Sequence, residues 1–299
     1  MKSGDFGQVL TAMVTPFDAN GAVDEPGVEK LAAHLLANGS DGLVVCGTTG
    51  ESPTLTHAEK LRLFRLVRDC TGGTRRVIAG TGGNDTAASI ELSREAAETG
   101  VDGILLVVPP YNRPSQEGLY QHFAAIARSV PDTKCILYNV PSRTAQTMDA
   151  ATTLRLAREV PNIVAVKEAS GNLQLVAEIF GGAPEGFTIY SGDDALTLPI
   201  LAVGGTGVIS VTAHLVGHDM KQMHTAFFSG DHAGAARINA KMLPISRACF
   251  QPTTPSPAPL KAALSMLGLP GGGLRLPLVE ANAVERGLVK KALTEYGLL

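Results

Sequence analysis

Short apolar segments alternate with longer amphipathic segments along most of this chain. Segments such as VEKLAAHLLANG and HAEKLRLFRLVRDC carry apolar residues three and four positions apart, which predicts helices, and NDTAASIELSREAAETG opens on capping residues and closes on Gly100. The apolar segments between the helices predict eight β-strands, over residues 9–15, 42–46, 76–80, 103–107, 134–138, 163–167, 188–192 and 207–211.

The order of these elements favours a closed barrel. Strands that are almost continuously apolar are buried on both faces, and helices between them imply parallel pairing with right-handed crossovers. Eight such units predict a TIM (β/α)8 barrel. An open doubly wound sheet is the competing fold, but it usually carries G-x-G-x-x-G after its first strand, and LTAMVTPFDANG contains no such motif.

The pattern changes near Ser229, after which only helical segments follow. These segments are GDHAGAARINAKMLPISRACF, LKAALSMLGL and VERGLVKKALTEYGLL, with the proline-rich QPTTPSPAP between the first two. We therefore predict two units, a catalytic barrel over residues 1–228 and a C-terminal helical appendage over residues 229–299.

Composition restricts the classes of partner. The chain has 299 residues, 44% hydrophobic and 18% charged, with a formal net charge of −3 and no Lys/Arg-rich run, so we expect neither nucleic acid nor membrane as a partner. Apolar runs such as GILLVVPP are much shorter than the roughly 20 residues that span a bilayer. No signal-peptide pattern is present at the N-terminus, which predicts a cytoplasmic location. The four dispersed cysteines are interpreted as buried structural thiols.

Candidate chemistry lies where the strands end, because active sites of barrels form at the carboxyl ends of the strands. The predicted strands end in or run into polar segments, which read CGTTGES, PPYNRP, YNVPSRT, VKEAS, SGDD and GVISV. These six segments should therefore meet at one face of the barrel.

Lys167 is the candidate nucleophile. It ends the apolar run NIVAVK, and strand alternation can direct its amine into the barrel, where desolvation favours the neutral form. A neutral lysine forms a Schiff base with a carbonyl substrate and provides an electron sink without a cofactor. An ion pair with Glu168 or Glu178 is the structural alternative, and this stretch alone does not choose between them.

Tyr138 and Arg143 follow the neighbouring strand. Tyr138 is either a core residue whose hydroxyl bonds to the backbone or a group that relays protons. Arg143 is either solvated or binds a carboxylate through its guanidinium group. Together with Lys167 they form a coherent catalytic set. In GTTGE, the hydroxyls of two threonines and the flanking Gly47 and Gly50 suit close approach of an anion.

Metal and nucleotide sites are not expected. His214 and His218 have i,i+4 spacing and His224 follows, but no carboxylate or cysteine set converges on them, and a solvated helix face is the favoured interpretation. The glycines of GTGGND and VGGTG lack the Lys-Ser/Thr of a nucleotide loop. We predict no metal and no cofactor besides a covalent imine through Lys167.

The motifs GTTGES, YNRPSQEGLYQHF, YNVPSRT, KEASGN and SGDD stand in the order found in one family. Over essentially its whole length the sequence resembles the dihydrodipicolinate synthases, within the pyruvate-dependent class I aldolase family that includes N-acetylneuraminate lyase. The resemblance implies condensation of pyruvate with L-aspartate 4-semialdehyde, in lysine and diaminopimelate biosynthesis.

The resemblance also assigns the proton chemistry. It implies that Lys167 forms the imine with pyruvate while Tyr138, Thr48 and Tyr111 form a proton relay, with Tyr111 supplied by a neighbouring subunit. A homo-oligomer is therefore expected, a tetramer built as a dimer of dimers.

The same resemblance assigns the substrate contacts. Thr49 and nearby backbone amides would hold the pyruvate carboxylate, with the carbonyl of Ile209 and Gly192 of SGDD lining the same pocket. Arg143 would hold the carboxylate of the aldehyde substrate, whereas the lyase branch typically lacks this arginine.

The chain departs from lysine-inhibited members of the family in the feedback pocket. Ser52, His57, Gly82 and Asn84 match that pocket, but Lys60, Ala88 and Pro110 replace the His, Glu and Tyr typical of inhibited bacterial enzymes. A cation and a methyl group at these positions should not hold the ammonium groups of lysine. We therefore predict weak or absent feedback by lysine.

Two other functions stay open from the residues alone. A sister aldolase or hydratase would use the same imine on sugar acids or aromatic pyruvates. A catalytically silent ligand-binding barrel is the third alternative, and the intact Lys-Tyr-Arg-Thr set argues against it.

Overall fold

Eight parallel strands close into a barrel in chain order in the computed structural model, which describes residues 6–299. The strands are β1 Val9–Ala12, β2 Gly42–Val45, β3 Arg76–Gly80, β4 Gly103–Val107, β5 Lys134–Asn139, β6 Ile163–Glu168, β7 Thr188–Ser191 and β8 Gly207–Ser210. All eight predicted strands are present, and the predicted (β/α)8 barrel is confirmed.

Strands β3 and β4 have the predicted bounds, and the other strands differ from the prediction by one to three residues. β1 differs most and ends three residues earlier than predicted. Beyond Ala12 only Met13 continues the backbone pairing, by donating to the carbonyl of Val44. β5 and β6 are each one residue longer than predicted. Asn139 and Glu168 pair in register, and the Asn139 side chain donates to Glu168 Oε2 at 2.9 Å, which extends the ladder past Tyr138 and Lys167.

Helices follow the strands and cover the barrel. One of them begins at a capping residue that the sequence suggested, since Asp85 accepts hydrogen bonds from Ala87 and Ala88. At the start of another, Thr56 and Glu59 form a capping box. The helices are α1 Glu25–Ala37, α2 His57–Thr71, α3 Thr86–Glu98, α4 Gln116–Arg128, α5 Pro141–Thr144, α6 Ala150–Glu159, α7 Leu173–Gly182, α8 Thr197–Ala202, α9 Ala213–Phe228, α10 His232–Cys249, α11 Ala258–Met266 and α12 Ala283–Tyr296.

The apolar core has two layers, separated by the strands. The larger layer lies between strands and helices. The smaller layer fills the barrel interior, and each strand contributes to it, with Leu10, Val44, Ile78, Leu105, Ile136, Ala165, Tyr190 and Ile209. Because side chains alternate along a strand, residues two positions beyond this layer also point inward, at the carboxyl ends of the strands.

Helices α10, α11 and α12 succeed α9 without further strands in the described chain, as the sequence predicted. The division into a barrel of residues 1–228 and an appendage of residues 229–299 stays a prediction. Among residues 6–299, no helix is both long and apolar enough to cross a membrane.

The histidines of α9 are not all solvated, so the interpretation of a solvated helix face is wrong. His214 and His224 are fully buried, whereas His218 is exposed. The backbone N–H of Val14 donates to His214 Nε2 at 3.2 Å, and His214 Nδ1 lies 2.7 Å from the carbonyl of Val211. Nε2 must be an acceptor, so the ring is neutral and joins the end of β1 to the start of α9.

The cysteines are all free. Cys46, Cys135 and Cys249 are buried, but Cys70 near the end of α2 is exposed. The prediction of buried thiols is therefore wrong for Cys70, which lies on the solvent side of its helix.

Burial of His214 makes stability depend on pH. Burial lowers the pKa of His214 to about 4 from an ordinary 6.5, so the unfolded chain binds a proton first as the pH falls. One pKa unit corresponds to about 1.4 kcal/mol, so His214 should lower the free energy of unfolding by roughly 3 kcal/mol as the pH falls from 6.5 to 4. Replacing His214→Asn should destabilise the protein at pH 7.5 but flatten the loss of stability toward pH 4.5, measured by guanidinium denaturation.

The matched control is His218→Asn, on the exposed face of the same helix. It should keep both the stability and the pH slope of the parent protein. A His214→Asn variant with an unchanged slope would contradict this account of the buried ring.

Candidate active site

Lys167 lies near the end of β6 and points into the barrel. It is two residues beyond Ala165 of the interior layer, and it pairs in register with Tyr138 on β5 and Tyr190 on β7. The side chain is buried at 5% exposure and lines a cavity of about 370 Å³, which we call the lumen cavity. The inward direction expected from strand alternation is therefore present.

The ion-pair alternative for Lys167 is wrong. Glu168 points to the other side of the strand, where its carboxylate accepts from the Asn139 side chain and from the amide of Ser170 at 2.7 Å. Burial raises the pKa of Glu168 against these hydrogen bonds. Glu178 instead accepts from Gln174. Within residues 6–299, no carboxylate forms an ion pair with Lys167.

Tyr138 lies directly beside the amine. The Nζ atom of Lys167 is 4.1 Å from the centroid of the Tyr138 ring, and Tyr138 also lines the lumen cavity. Its hydroxyl makes no hydrogen bond to another residue of the described chain, so it is not a core phenol tied to backbone. A buried phenol that faces a cavity next to an amine is suited to carry protons to and from a bound substrate.

The loop after β2 lines the same cavity. Thr48 and Thr49 both line it, and Thr49 is buried. The amides of Gly50, Glu51 and Ser52 donate to carbonyls within the loop, whereas those of Thr48 and Thr49 donate to no carbonyl or side chain of residues 6–299. Two adjacent N–H groups without a partner among residues 6–299, together with two hydroxyls, are the kind of donors that a carboxylate can accept from.

Arg143 lies at the mouth of the cavity. Pro141 begins the four-residue α5, and Arg143 projects from it into both the lumen cavity and an adjoining outer cavity of about 520 Å³. Its Nη2 donates to the carbonyl of Ser256 at 3.2 Å, and the guanidinium is otherwise open to solvent. Arg143 is therefore placed to bind a second anionic group.

Gly192 gives Lys167 its space. A Cβ at this position would lie 3.0 Å from Lys167 Cε and 2.7 Å from the Cβ of Ala169. Beyond it, Asp194 is buried and accepts from the amides of Val211 and Thr212 at 3.0 Å each, while burial raises its pKa. The SGDD motif thus leaves room beside the amine and ties the end of β7 to the end of β8.

Two predicted site residues do not line the lumen cavity of the single chain. Ile209 lies in the interior layer on β8, and Val211 lines the cavity in its place. Tyr111 is 92% exposed, away from the cavity. Their assigned roles stay predictions.

No metal centre accompanies these groups. In the part of the chain that the structure describes, no three His, Cys, Asp or Glu side chains are placed to hold a metal ion. The outer cavity is lined by Ser52, Lys60, Gly82, Asn84 and Pro110, which the resemblance assigned to the feedback pocket. Burial lowers the pKa of Lys60.

The C-terminal helices contribute residues that the sequence analysis did not assign to the site. Arg247 and Phe250 near the end of α10, and Ser256 before α11, line the lumen cavity. The hydroxyl of Ser256 is buried and has no hydrogen-bond partner among residues 6–299. The prolines of QPTTPSPAP were the only local signal, and prolines do not show where a segment packs.

Comparison with known proteins gives one consistent result. The sequence profile of the dihydrodipicolinate synthetase family matches residues 5–296. The 4-hydroxy-tetrahydrodipicolinate synthase of Moorella thermoacetica is 59% identical over 294 residues, 98% of this chain and 99% of that protein. The corresponding enzyme of Symbiobacterium thermophilum is 56% identical, again covering 98% and 99%.

A solved structure agrees with these relatives. The dihydrodipicolinate synthase of Cyanidioschyzon merolae, crystallised with lysine bound, superposes with a TM-score of 0.96 at 47% identity, covering 98% of this chain and 99% of that one.

Substitution of Gly192→Ala tests the space beside Lys167. The added methyl must displace Lys167 Cε or Ala169. We therefore expect the rate at which Lys167 reacts covalently with a carbonyl substrate to fall about tenfold or more, while the fold is kept. The control is Gly287→Ala in α12, where a Cβ meets nothing within 4 Å. Reactivity of Gly192→Ala equal to that of the control would refute the packing argument.

Proposed function

The chain belongs to the dihydrodipicolinate synthetase family, and we propose that Lys167 is the residue through which it performs the reaction of that family. It is a lyase that condenses pyruvate with L-aspartate 4-semialdehyde to 4-hydroxy-tetrahydrodipicolinate, in lysine and diaminopimelate biosynthesis. A sugar-acid aldolase is not favoured, because the relatives over the full chain carry the synthase name. The observation that carries our assignment is a buried lysine that has no carboxylate partner among residues 6–299 and lines a cavity beside Tyr138.

The first step is formation of an imine. Nζ of Lys167 in its neutral form attacks the ketone carbon of pyruvate, and uptake of one proton with loss of water gives a protonated imine. The carboxylate of pyruvate fits the free amides of Thr48 and Thr49, and this placement would hold the ketone against the amine.

The carbon-carbon bond forms from an enamine. A methyl proton of the pyruvate imine is removed, with Tyr138 and Thr48 in the relay, and the enamine carbon attacks the aldehyde of the second substrate. Arg143 would hold the carboxylate of that substrate at the cavity mouth. The amine of the adduct then displaces Lys167 by transimination, so the heterocycle closes and the enzyme is regenerated without an external cofactor.

Tyr111 supports an assembly larger than one chain. Its side chain is exposed, and its backbone φ of +74° is in the left-handed region, as is that of Arg113 at +45°. Such conformations cost about 1–3 kcal/mol each and persist where surrounding structure fixes them. We propose that a second copy covers this loop and receives Tyr111 into its relay, in a dimer of dimers. A cytoplasmic location stays a prediction.

Borohydride reduction in the presence of pyruvate tests the role of Lys167. The intact protein should gain the mass of one reduced pyruvate group, mapped to Lys167 by peptide mass spectrometry, while Lys167→Ala should gain none. Condensation with aspartate semialdehyde, followed in a coupled assay, should be lost in the same variant. An adduct on another lysine, or turnover by Lys167→Ala, would contradict the proposal.

Regulation by lysine is expected to be weak or absent, because Lys60 places a cation in the outer cavity. An assay at increasing lysine concentration should show little inhibition of this protein. The paired substitution of Lys60→His and Ala88→Glu, which restores the residues typical of inhibited enzymes, should increase sensitivity. Half-inhibition of the unmodified protein by submillimolar lysine would contradict the prediction.

A further inference from the structure

A buried ion pair joins the C-terminal helices to the loop that carries Thr48 and Thr49. Nζ of Lys261 on α11 lies 2.6 Å from Oε1 of Glu51, and the two side chains are 3% and 0% exposed. Glu51 directly follows the GTTG turn, while Lys261 is more than 200 positions away in sequence. Neither residue lines the lumen cavity.

Lys261 holds the loop at more than one point. Its ammonium also donates to the carbonyl of Thr15 at 2.8 Å and to that of Gly273 at 2.6 Å. The hydroxyl of Thr15 donates in turn to the carbonyl of Gly50 at 2.7 Å. The ammonium thus reaches the loop directly through Glu51 and indirectly through Thr15.

The loop needs such support, because its backbone is strained at both ends. Cys46 and Glu51 have φ values of +55° and +56°, in the left-handed region that costs a residue with a side chain about 1–3 kcal/mol. The turn between them leaves the amides of Thr48 and Thr49 free. If the loop relaxed, its backbone strain would be released and the amides of Thr48 and Thr49 would point in a different direction.

Stability alone does not account for the pair. A buried ion pair is often no more stabilising than apolar residues of similar volume, since the desolvation of both charges offsets their attraction. What the pair supplies is a fixed geometry: the Lys261 ammonium donates to two carbonyls and lies 2.6 Å from Glu51 Oε1, and Glu51 Oε2 accepts from the amide of Arg275 at 3.1 Å.

We propose that Lys261 and Glu51 are positioning residues for pyruvate, which hold the Thr48–Thr49 amides in the orientation that binds its carboxylate. The inference rests on the proposed role of Lys167, because it concerns the anion held opposite that amine. It gives the C-terminal helices a part in substrate binding without contact between Lys261 and the substrate.

The test compares removal of one charge with removal of both. Lys261→Met leaves the Glu51 carboxylate buried and unpaired, which should lower the melting temperature strongly. Lys261→Met combined with Glu51→Gln removes both charges, so much of that loss should return. In both variants the pyruvate concentration for half-maximal borohydride trapping should rise about tenfold or more, because the loop is no longer fixed.

The half-saturation separates positioning from a purely structural role. A purely structural defect would reduce the amount of active protein, and so the extent of trapping, but not its dependence on pyruvate concentration. The control is Lys241→Met, which removes a partly exposed ion pair between Lys241 on α10 and Asp219 on α9 and should leave the half-saturation unchanged.

Two results would overturn the inference. One is a folded double variant with the half-saturation of the parent protein, and the other is failure of every Lys261 and Glu51 variant to fold, which would make the pair structural. Failure of the proposed function would give a different result, namely no adduct on Lys167 in the unmodified protein. It can therefore be distinguished from both of these results.

Discussion

The burial of one amine without a counter-charge is the constraint on which this site depends. A lysine enclosed in a barrel is costly as a cation, and the usual relief is a carboxylate within reach. Lys167 has no such partner among residues 6–299, and its Nζ lies 4.1 Å from the centroid of the Tyr138 ring. An amine in this setting can react with a ketone, and the other groups of the site lie around the cavity that the amine faces.

Carboxylates are present nearby, but their hydrogen bonds direct them elsewhere. Glu168 is the next residue along β6, and it faces away from the lumen toward Asn139 and Ser170. Asp194 is held by the amides at the end of β8. These acids fix the ends of strands β5 to β8, and neither of them forms an ion pair with Lys167.

Alternation along strands made much of this site predictable. The apolar runs that end at Lys167 and Tyr138 predicted two inward-pointing side chains on neighbouring strands. In the structure these two side chains lie next to each other. The same reasoning could not find Lys261 or Ser256, because their contacts with the loop after β2 and with Arg143 join segments over 100 residues apart. A helix pattern shows that α11 forms, but not which side of the barrel it covers.

His214 shows a second limit of the sequence. Its spacing to His218 indicated one helix face, yet the non-helical backbone at Val216 interrupts α9 between them, and His214 turns inward to meet Val14. Tyr111 shows a third limit, since the relay role proposed for it requires a second copy of the chain, and the side chain is exposed in the single chain. The place of His214 depends on a packing partner 200 positions away in sequence, which local spacing does not reveal.

A crystal structure of the protein soaked with pyruvate tests the central claim most directly. The account predicts continuous density from Nζ of Lys167 to the former ketone carbon, with the carboxylate within hydrogen-bond distance of the amides of Thr48 and Thr49. Pyruvate bound without a covalent link, with the Lys167 amine turned away from it or paired with a carboxylate, would contradict the account.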